Sequence, residues 1–259
     1  MKSHAERPVV TIHRLYLCLW MTPDRLKSHI QDWQDMASFD PFLAISGQRK
    51  EWQIEELFAT AKPHMDRLFS TATFLDLPKS YDRALEFGCG AGRFLRHFEK
   101  RFSEVWGVDV STTMIDLATR YNARSNFHLN KTGDLQFFDN AYFDLIYSFL
   151  VLQHLPNESL VENYLREFIR ILKPGGLAAF QIPNRLNMRW KVQPRRRLYH
   201  LLHSLGFSSA RLQSWRLLPM SLLAMSDSVV GRIISSAGGS VCEIQNLSGN
   251  DGLMYFCTK

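Results

Sequence analysis

At 259 residues and 46% apolar composition, the chain is long enough to bury the core of one full domain, and it carries no internal repeat or low-complexity tract. No uninterrupted apolar stretch approaches the roughly 18 residues of a membrane helix, which excludes a spanning segment; Val9–Met21 contains His13 and Arg14 and precedes no small-residue cleavage site, so a cytoplasmic protein is expected. The cysteines at 18, 89, 242 and 257 form no Cys-x-x-Cys pair, which leaves no zinc site and no disulfide framework, and the net charge of +6 is distributed very unevenly along the chain.

The first 80 residues read as helical. Within the run Asp32–Phe42 the sequence looks like a helix that ends before Pro41, and Lys50–Thr60 and Pro63–Leu75 look like two more, the last with proline in its first turn. Trp33, Phe39, Phe42, Trp52 and Phe58 form an aromatic set that fits either a core stripe or the lining of a pocket.

Residues 84–94 read Ala-Leu-Glu-Phe-Gly-Cys-Gly-Ala-Gly-Arg-Phe. An apolar strand ends in Glu86 and runs into Gly88, Gly90 and Gly92, followed by a helix-forming segment. Glycine lets the backbone turn sharply and lets a ligand lie against it without meeting a Cβ. Such a loop at the carboxyl end of a strand is where α/β sheets cradle nucleotides. A dinucleotide fingerprint would require a small residue where Arg93 stands, and the Gly-Lys-Ser/Thr ending of a phosphate loop is absent.

Val105–Val108 reads as a short buried strand ending in Asp109, 17 residues after Gly92. A carboxylate there can accept hydrogen bonds from both ribose hydroxyls. Ser111 caps a helix expected over 112–122. A third strand leads to Gly133-Asp134-Leu135, which also fits an ordinary turn. Phe143–Ser148 is nearly continuous in apolar residues, as a parallel strand buried on both faces requires, and Phe149-Leu-Val-Leu-Gln-His154-Leu follows it.

A helix over 158–172 is expected to end before Pro174, with Gly175 and Gly176 forming the turn into a fifth strand. From Phe168 to Ser226 there are ten Lys and Arg and no Asp or Glu. Arg185, Arg189, Lys191, Arg195, Arg196, Arg197, Arg211 and Arg216 form the centre of that excess. Arg195–Leu205 reads as an amphipathic helix with Leu198, Leu201, Leu202 and Leu205 on one face. Leu217–Met225 adds an apolar patch, and a helix is expected at about 226–237. Ala237–Ile244 and Gly252–Lys259 read as a closing antiparallel hairpin that could bring Cys242 and Cys257 face to face, with reduced thiols expected.

Glu86-x-Gly-x-Gly-x-Gly, the strand ending in Asp109, Asp134-Leu135, the Phe143–His154 run and Leu172-Lys-Pro-Gly-Gly176 occur in an order that resembles the class I S-adenosylmethionine-dependent methyltransferases. The resemblance covers residues 83–259 apart from one insertion. It implies an α/β, Rossmann-like sheet of seven strands, mostly parallel with an antiparallel last strand and helices on both faces. It divides the chain into a helical cap over 1–80 and a methyltransferase domain over 81–259 with a basic insertion at 184–225.

The resemblance further implies S-adenosyl-L-methionine as cofactor and contacts to it from Glu86, Gly88, Cys89, Gly90, Gly92, Arg93, Asp109, Val110 and Met114. Asp134 and Leu135 would meet adenine, and Ser148 and Phe149 would lie beside the methionine part. His154 is the titratable side chain expected near the transferred methyl, where it would act as a base or merely pack. The Asn/Asp-Pro-Pro-aromatic run of nucleobase and glutamine methyltransferases is absent, which argues against a nucleic-acid acceptor. The expected activity is methyl transfer to a small molecule, with a phosphorylated or carboxylated acceptor held by the basic insertion as one reading. A lid, a homodimer contact or a membrane-resting face is another reading of that insertion. The alternatives for the whole chain are a catalytically silent cofactor-binding or assembly subunit and a protein or RNA methyltransferase directed by the insertion. No metal is expected.

Overall fold

The computed structural model describes residues 23–46, 53–247 and 252–259. Two helices, α1 (Pro23–Phe39) and α2 (Pro41–Ser46), and then α3 (Ile54–Ala59) and α4 (Lys62–Leu75) precede the sheet. The expected helix before Pro41 is therefore longer toward its N-terminus and is followed at once by a second one, because proline is suited to a first helical turn. Trp52 lies outside the described residues.

The remaining elements alternate: β1 (Arg83–Phe87), α5 (Leu95–Phe98), β2 (Glu104–Asp109), α6 (Thr112–Tyr121), β3 (Ser125–Leu129), β4 (Phe143–Ser148), α7 (Glu158–Ile171) and β5 (Leu172–Ile182). The insertion contributes α8 (Met188–Val192), α9 (Pro194–Ser204) and α10 (Ser209–Ser214), and α11 (Asp227–Ser236), β6 (Ser240–Asn246) and β7 (Leu253–Thr258) complete the order. The seven strands form one sheet in the order β3-β2-β1-β4-β5-β7-β6, with β7 antiparallel to both of its neighbours. That is the architecture expected from the sequence.

Strand alternation assigns the two faces. Leu85, Ile146, Ala178 and Phe180 meet Phe168, Ile169 and Ile234 of α7 and α11 on one side. Ala84, Leu145, Tyr147 and Ala179 meet Leu68 of α4 and Phe98 of α5 on the other. All six residues of β4 are buried, as its apolar run requires. Each fully buried Leu, Ile or Phe contributes about 1.5–3 kcal/mol, so these two layers carry the stability of the sheet.

Two details depart from the sequence reading. Pairing of β5 begins at Leu172, opposite Phe143, is interrupted, and resumes at Leu177 opposite Leu145. Pro174-Gly175-Gly176 is thus an irregularity within the strand rather than a turn before it. Gly175 takes φ +73°, and a Cβ on Gly176 would come within 3.0 Å of the Asp144 carbonyl. In the hairpin, Val241 rather than Cys242 lies opposite Cys257, because the register slips between Val241 and Glu243. Cys89, Cys242 and Cys257 are free thiols, and Cys18 lies outside the described residues. Among the described residues no helix is long and apolar enough to cross a membrane.

Candidate active site

The glycine loop is pinned from below. The Gly88 and Cys89 N–H groups both donate to the Val108 carbonyl, at 2.7 and 3.0 Å, which ties the end of β1 to the end of β2. Gly88 sits at φ +73°, and a Cβ there would lie 2.2 Å from a methyl of Val151, so no other residue fits. One turn on, the Gly90 N–H donates to Asp109 Oδ2 at 2.9 Å and the Ser111 N–H to Asp109 Oδ1 at 2.9 Å. Each carboxylate oxygen keeps lone pairs for an outside donor. Ser111 Oγ accepts from the Met114 N–H and caps α6 as expected. Gln34 of α1 accepts from Ser111 Oγ and the Thr112 N–H, which locks the helical cap onto this corner.

Above the loop lies a cavity lined by Glu86, Gly88, Cys89, Gly90, Arg93, Asp109, Val110, Ser111, Met114, Asn130, Phe149 and Val151 from the sheet ends and by Leu26, His29, Trp33 and Ile45 from the cap. Glu86 is 3% exposed, and its Oε2 has no hydrogen-bond partner among the described residues. Burial pushes its carboxyl well above the ordinary range, with Asp109 adding to the rise and Arg93 opposing it. Arg93 rests over the Phe94 ring and donates to Thr60 Oγ1 of the cap at 2.9 Å. Removal from water also raises Asp109, against backbone N–H bonds that favour its charged form.

His154, in the turn after β4, lies at the far end. A directed chain reaches it: the Leu150 N–H donates to Gln181 Oε1, Gln181 Nε2 donates to Gln153 Oε1, and Gln153 Nε2 faces His154 Nε2 at 3.1 Å. With an amide N–H facing it, Nε2 carries the lone pair. Nδ1 then carries the proton and donates to the Ser221 carbonyl at 2.8 Å. Burial lowers the pKa of His154, so the ring is neutral near pH 7. Trp33 packs edge-on against it, with ring centroids 5.6 Å apart.

A second cavity of about 840 Å³ opens on the other side of His154. Gln153, Pro183, Asn184, Asn187, Trp190, Ser221 and Asn246 line it, together with Arg185, Arg195, Arg196 and Arg216, and among the described residues its lining includes no Asp or Glu. Arg196 donates Nε to the Pro219 carbonyl at 2.9 Å, so its guanidinium is held by the insertion's own backbone. His154 is common to both linings.

Of the residues expected at the site, Glu86, Gly88, Cys89, Gly90, Arg93, Asp109, Val110, Met114, Phe149 and His154 come together here. Gly92, Asp134, Leu135 and Ser148 do not line the cavity. Gly92 backs onto Asn122, where a Cβ would meet Nδ2 at 2.3 Å. Asp134 Oδ1 closes a local turn with Thr132 Oγ1 and the Gln136 N–H, and Leu135 is in the core under α7. Ser148 Oγ is buried without a partner among the described residues. Asn130, just after β3, occupies the lining position instead; its side chain accepts from Thr132 and donates to Tyr164 Oη and the Asp134 carbonyl. Of the aromatic set, Trp33 lines the cavity, Phe58 is buried beside Tyr121 and Phe39 is exposed at the surface. Nothing in the sequence marks Leu26 or Ile45, whose places depend on how the cap docks.

Residues 85–180 match a protein family described as a methyltransferase domain. A malonyl-[acyl-carrier protein] O-methyltransferase of Enterobacter lignolyticus is 30% identical over 132 residues, which is 48% of this chain and 50% of that protein. A ubiquinone biosynthesis O-methyltransferase of Coxiella burnetii is 29% identical over 104 residues, 39% of this chain and 43% of that protein. The chain thus spans half or less of the length of these curated relatives. Among solved structures, a complex described as DhpI-SAM-HEP superimposes with a TM-score of 0.61 at 17% identity, covering 92% of this chain and 99% of the other. The magnesium protoporphyrin IX methyltransferase of Synechocystis PCC 6803 with bound SAH does so with a TM-score of 0.58 at 13% identity, covering 89% and 97%. At these identities the likeness is one of fold.

Proposed function

We propose that this chain, whose residues 85–180 belong to the methyltransferase-domain family within a class I methyltransferase fold, transfers a methyl group from S-adenosyl-L-methionine to a small molecule that carries an anionic group. The observation that carries the reading is the pair of cavities meeting at His154, one floored by Glu86, Gly90 and Asp109 and the other lined by four arginines. The buried Oε2 of Glu86, without a partner among the described residues, fits a cationic ligand, since an ammonium or sulfonium nearby would relieve an otherwise costly buried carboxyl. Asp109, already oriented by two backbone N–H groups, has acceptor capacity left for two ribose hydroxyls. The bare backbone at Gly88 and Gly90 admits the ligand closely.

When bound, the cofactor supplies an electrophilic methyl on a positively charged sulfur. The chain's own residues orient the acceptor in line with it and exclude water, and such positioning is worth about 7–11 kcal/mol of a barrier. Arg185, Arg195, Arg196 and Arg216 suit carboxylate or phosphoryl oxygens through paired hydrogen bonds. An acceptor oxygen that is already ionised needs no base. For a hydroxyl acceptor, His154 is the candidate base, and its Nε2 lone pair, held by the Gln153 amide, would take the proton once the acceptor hydroxyl displaces that amide. The two relatives, by their names, are O-methyltransferases, which supports an oxygen acceptor.

The test uses methyl-labelled S-adenosylmethionine with wild type and Asp109→Ala, incubated with cell extract that is then split into small polar molecules, lipids, protein and RNA. Label is expected in the small-molecule or lipid fraction, with loss in the variant. Cofactor affinity measured by titration should fall about 10–100-fold, the value of a hydrogen bond to a charged group. Cofactor binding without label in any fraction would overturn enzymatic transfer in favour of a silent binding subunit. Label confined to RNA or protein would overturn the small acceptor.

A further inference from the structure

The insertion is built outward rather than inward. The amphipathic face read over 195–205 does not pack as a seam. Leu198, Leu201 and Leu205 are 44%, 58% and 68% exposed, and only Tyr199 and Leu202 turn in, toward Leu212, Leu217 and Phe207. Helical spacing puts Leu198, Leu201 and Leu205 on one stripe of α9 and its end, with Arg195 and Arg197 on either side of it. Met188, Trp190 and Val192 of α8 and Trp215, just after α10, are exposed as well. Seven large apolar side chains therefore project from a segment that holds ten Lys and Arg within Phe168–Ser226 and no Asp or Glu.

We infer that the leucine stripe of α9, with its flanking arginines, is a docking surface for an anionic lipid bilayer, on which α9 lies in the headgroup region. A helix with leucines outermost and arginines at the flanks is the arrangement that rests at such an interface, with tryptophans at the boundary. Charge complementarity selects this occupant. Two copies of the chain meeting through the face would place like charges opposite each other with no acid in the segment to pair them. A bilayer presents diffuse negative charge and apolar depth, and requires no matched acidic side chains to fix a register. Trp190, Arg195 and Arg216 belong both to this segment and to the lining of the larger cavity, so that cavity opens beside the docked surface. An amphiphile with an anionic head could enter it from the bilayer with its chain still in lipid. The docking itself does not depend on methyl transfer.

The experiment is co-sedimentation of the full chain with vesicles of phosphatidylcholine alone and of phosphatidylcholine mixed with phosphatidylglycerol, at low and physiological salt. Binding is expected to the mixed vesicles only. Arg195→Ala combined with Arg197→Ala should weaken it about 25-fold, at roughly fivefold for each charge near the surface. Leu201→Glu combined with Leu205→Glu should weaken it at least ~10-fold. All four side chains are at the surface, and an unchanged thermal midpoint would establish that the variants are folded. Absence of binding to mixed vesicles at low salt would overturn the inference. So would binding that the leucine substitutions leave unchanged, since charge alone would then account for it. A concentration-dependent dimer that those substitutions abolish, without vesicle binding, would reassign the face to a second copy of the chain. Because the readout is binding, its failure leaves the labelling experiment untouched, and the reverse also holds.

Discussion

Glu86 is the residue whose environment and chemistry are most at odds. It is nearly inaccessible, one oxygen has no partner among the described residues, and burial raises its pKa well above the ordinary carboxyl value of 4.5. A carboxyl raised in the folded state contributes stability that is intact below its unfolded pKa and lost as pH rises through the folded one. Glu86→Gln should therefore make the cofactor-free protein more stable than wild type above pH 4.5, with the gap widening until the folded pKa is passed. Thermal midpoints across pH would record this. The same substitution should weaken cofactor binding about 10-fold or more, because the hydrogen-bond partner is then uncharged. Calorimetric titration measures it, and equal affinities would remove Glu86 from the site. Gly88 was legible for a related reason: in a strand–loop–helix context its spacing signals a close approach. That the close neighbour is Val151, more than sixty positions along the chain, was not legible.

At the scale of elements, Asp144 is the joint. It is 1% exposed at the start of β4, accepts from Ser80 Oγ and the Arg83 N–H, and meets Lys173 Nζ at 3.0 Å from β5. The segment entering β1, the central strand β4 and the irregular start of β5 thus share one carboxylate. Lys173→Met would leave that charge without its cation and should cost about 3–5 kcal/mol in denaturant unfolding. Burial opposes ionisation of Asp144, but the bonds from Ser80, Arg83 and Lys173 prevail and hold its pKa below 3.8. A lowered acid contributes stability above its unfolded pKa and loses it as pH falls through the folded one. The acid limb of unfolding should accordingly move to higher pH in the variant. An unchanged limb would show that Ser80 and Arg83 suffice.

Across the whole molecule, the cap and the insertion meet over His154. Helix α1 packs on α6 and α10, and Trp33 stands between His29 and His154. Burial, with His154 and Arg196 nearby, lowers His29 from 6.5 to about 4. Burial raises Asp32, on the same helix, from 3.8 to about 6, against the pull of Arg196. A lowered histidine costs nothing above its unfolded pKa and destabilises progressively as pH falls from 6.5 toward 4. A raised carboxyl does the reverse, adding stability as pH falls through 6. The two slopes offset one another in wild type. His29→Gln should remove the first, so the variant should gain stability relative to wild type between pH 6.5 and 4. Midpoints that run parallel over that range would show that His29 is not held neutral by the interface.

The sequence by itself determined the sheet, the glycine loop and the acids at the ends of β1 and β2, because strand alternation, φ requirements and charge spacing are local. Glu86, Gly88, Gly90 and Asp109 lie within 24 positions of one another, on neighbouring strands whose pairing follows from the parallel order. The tertiary structure alone decided which neighbours complete the site. Asn130 rather than Asp134 faces the cavity, since the turn after β3 satisfies Asp134 within itself. The network that assigns the Nδ1 proton of His154 runs from Gln181 through Gln153 to Nε2 and from Nδ1 to the Ser221 carbonyl, and it exists only once β4, β5 and the insertion are assembled. The leucine stripe of α9 shows the same limit most plainly. Periodicity reports that an apolar face exists, but whether it turns toward the core or away from it depends on which side of the helix the rest of the chain covers.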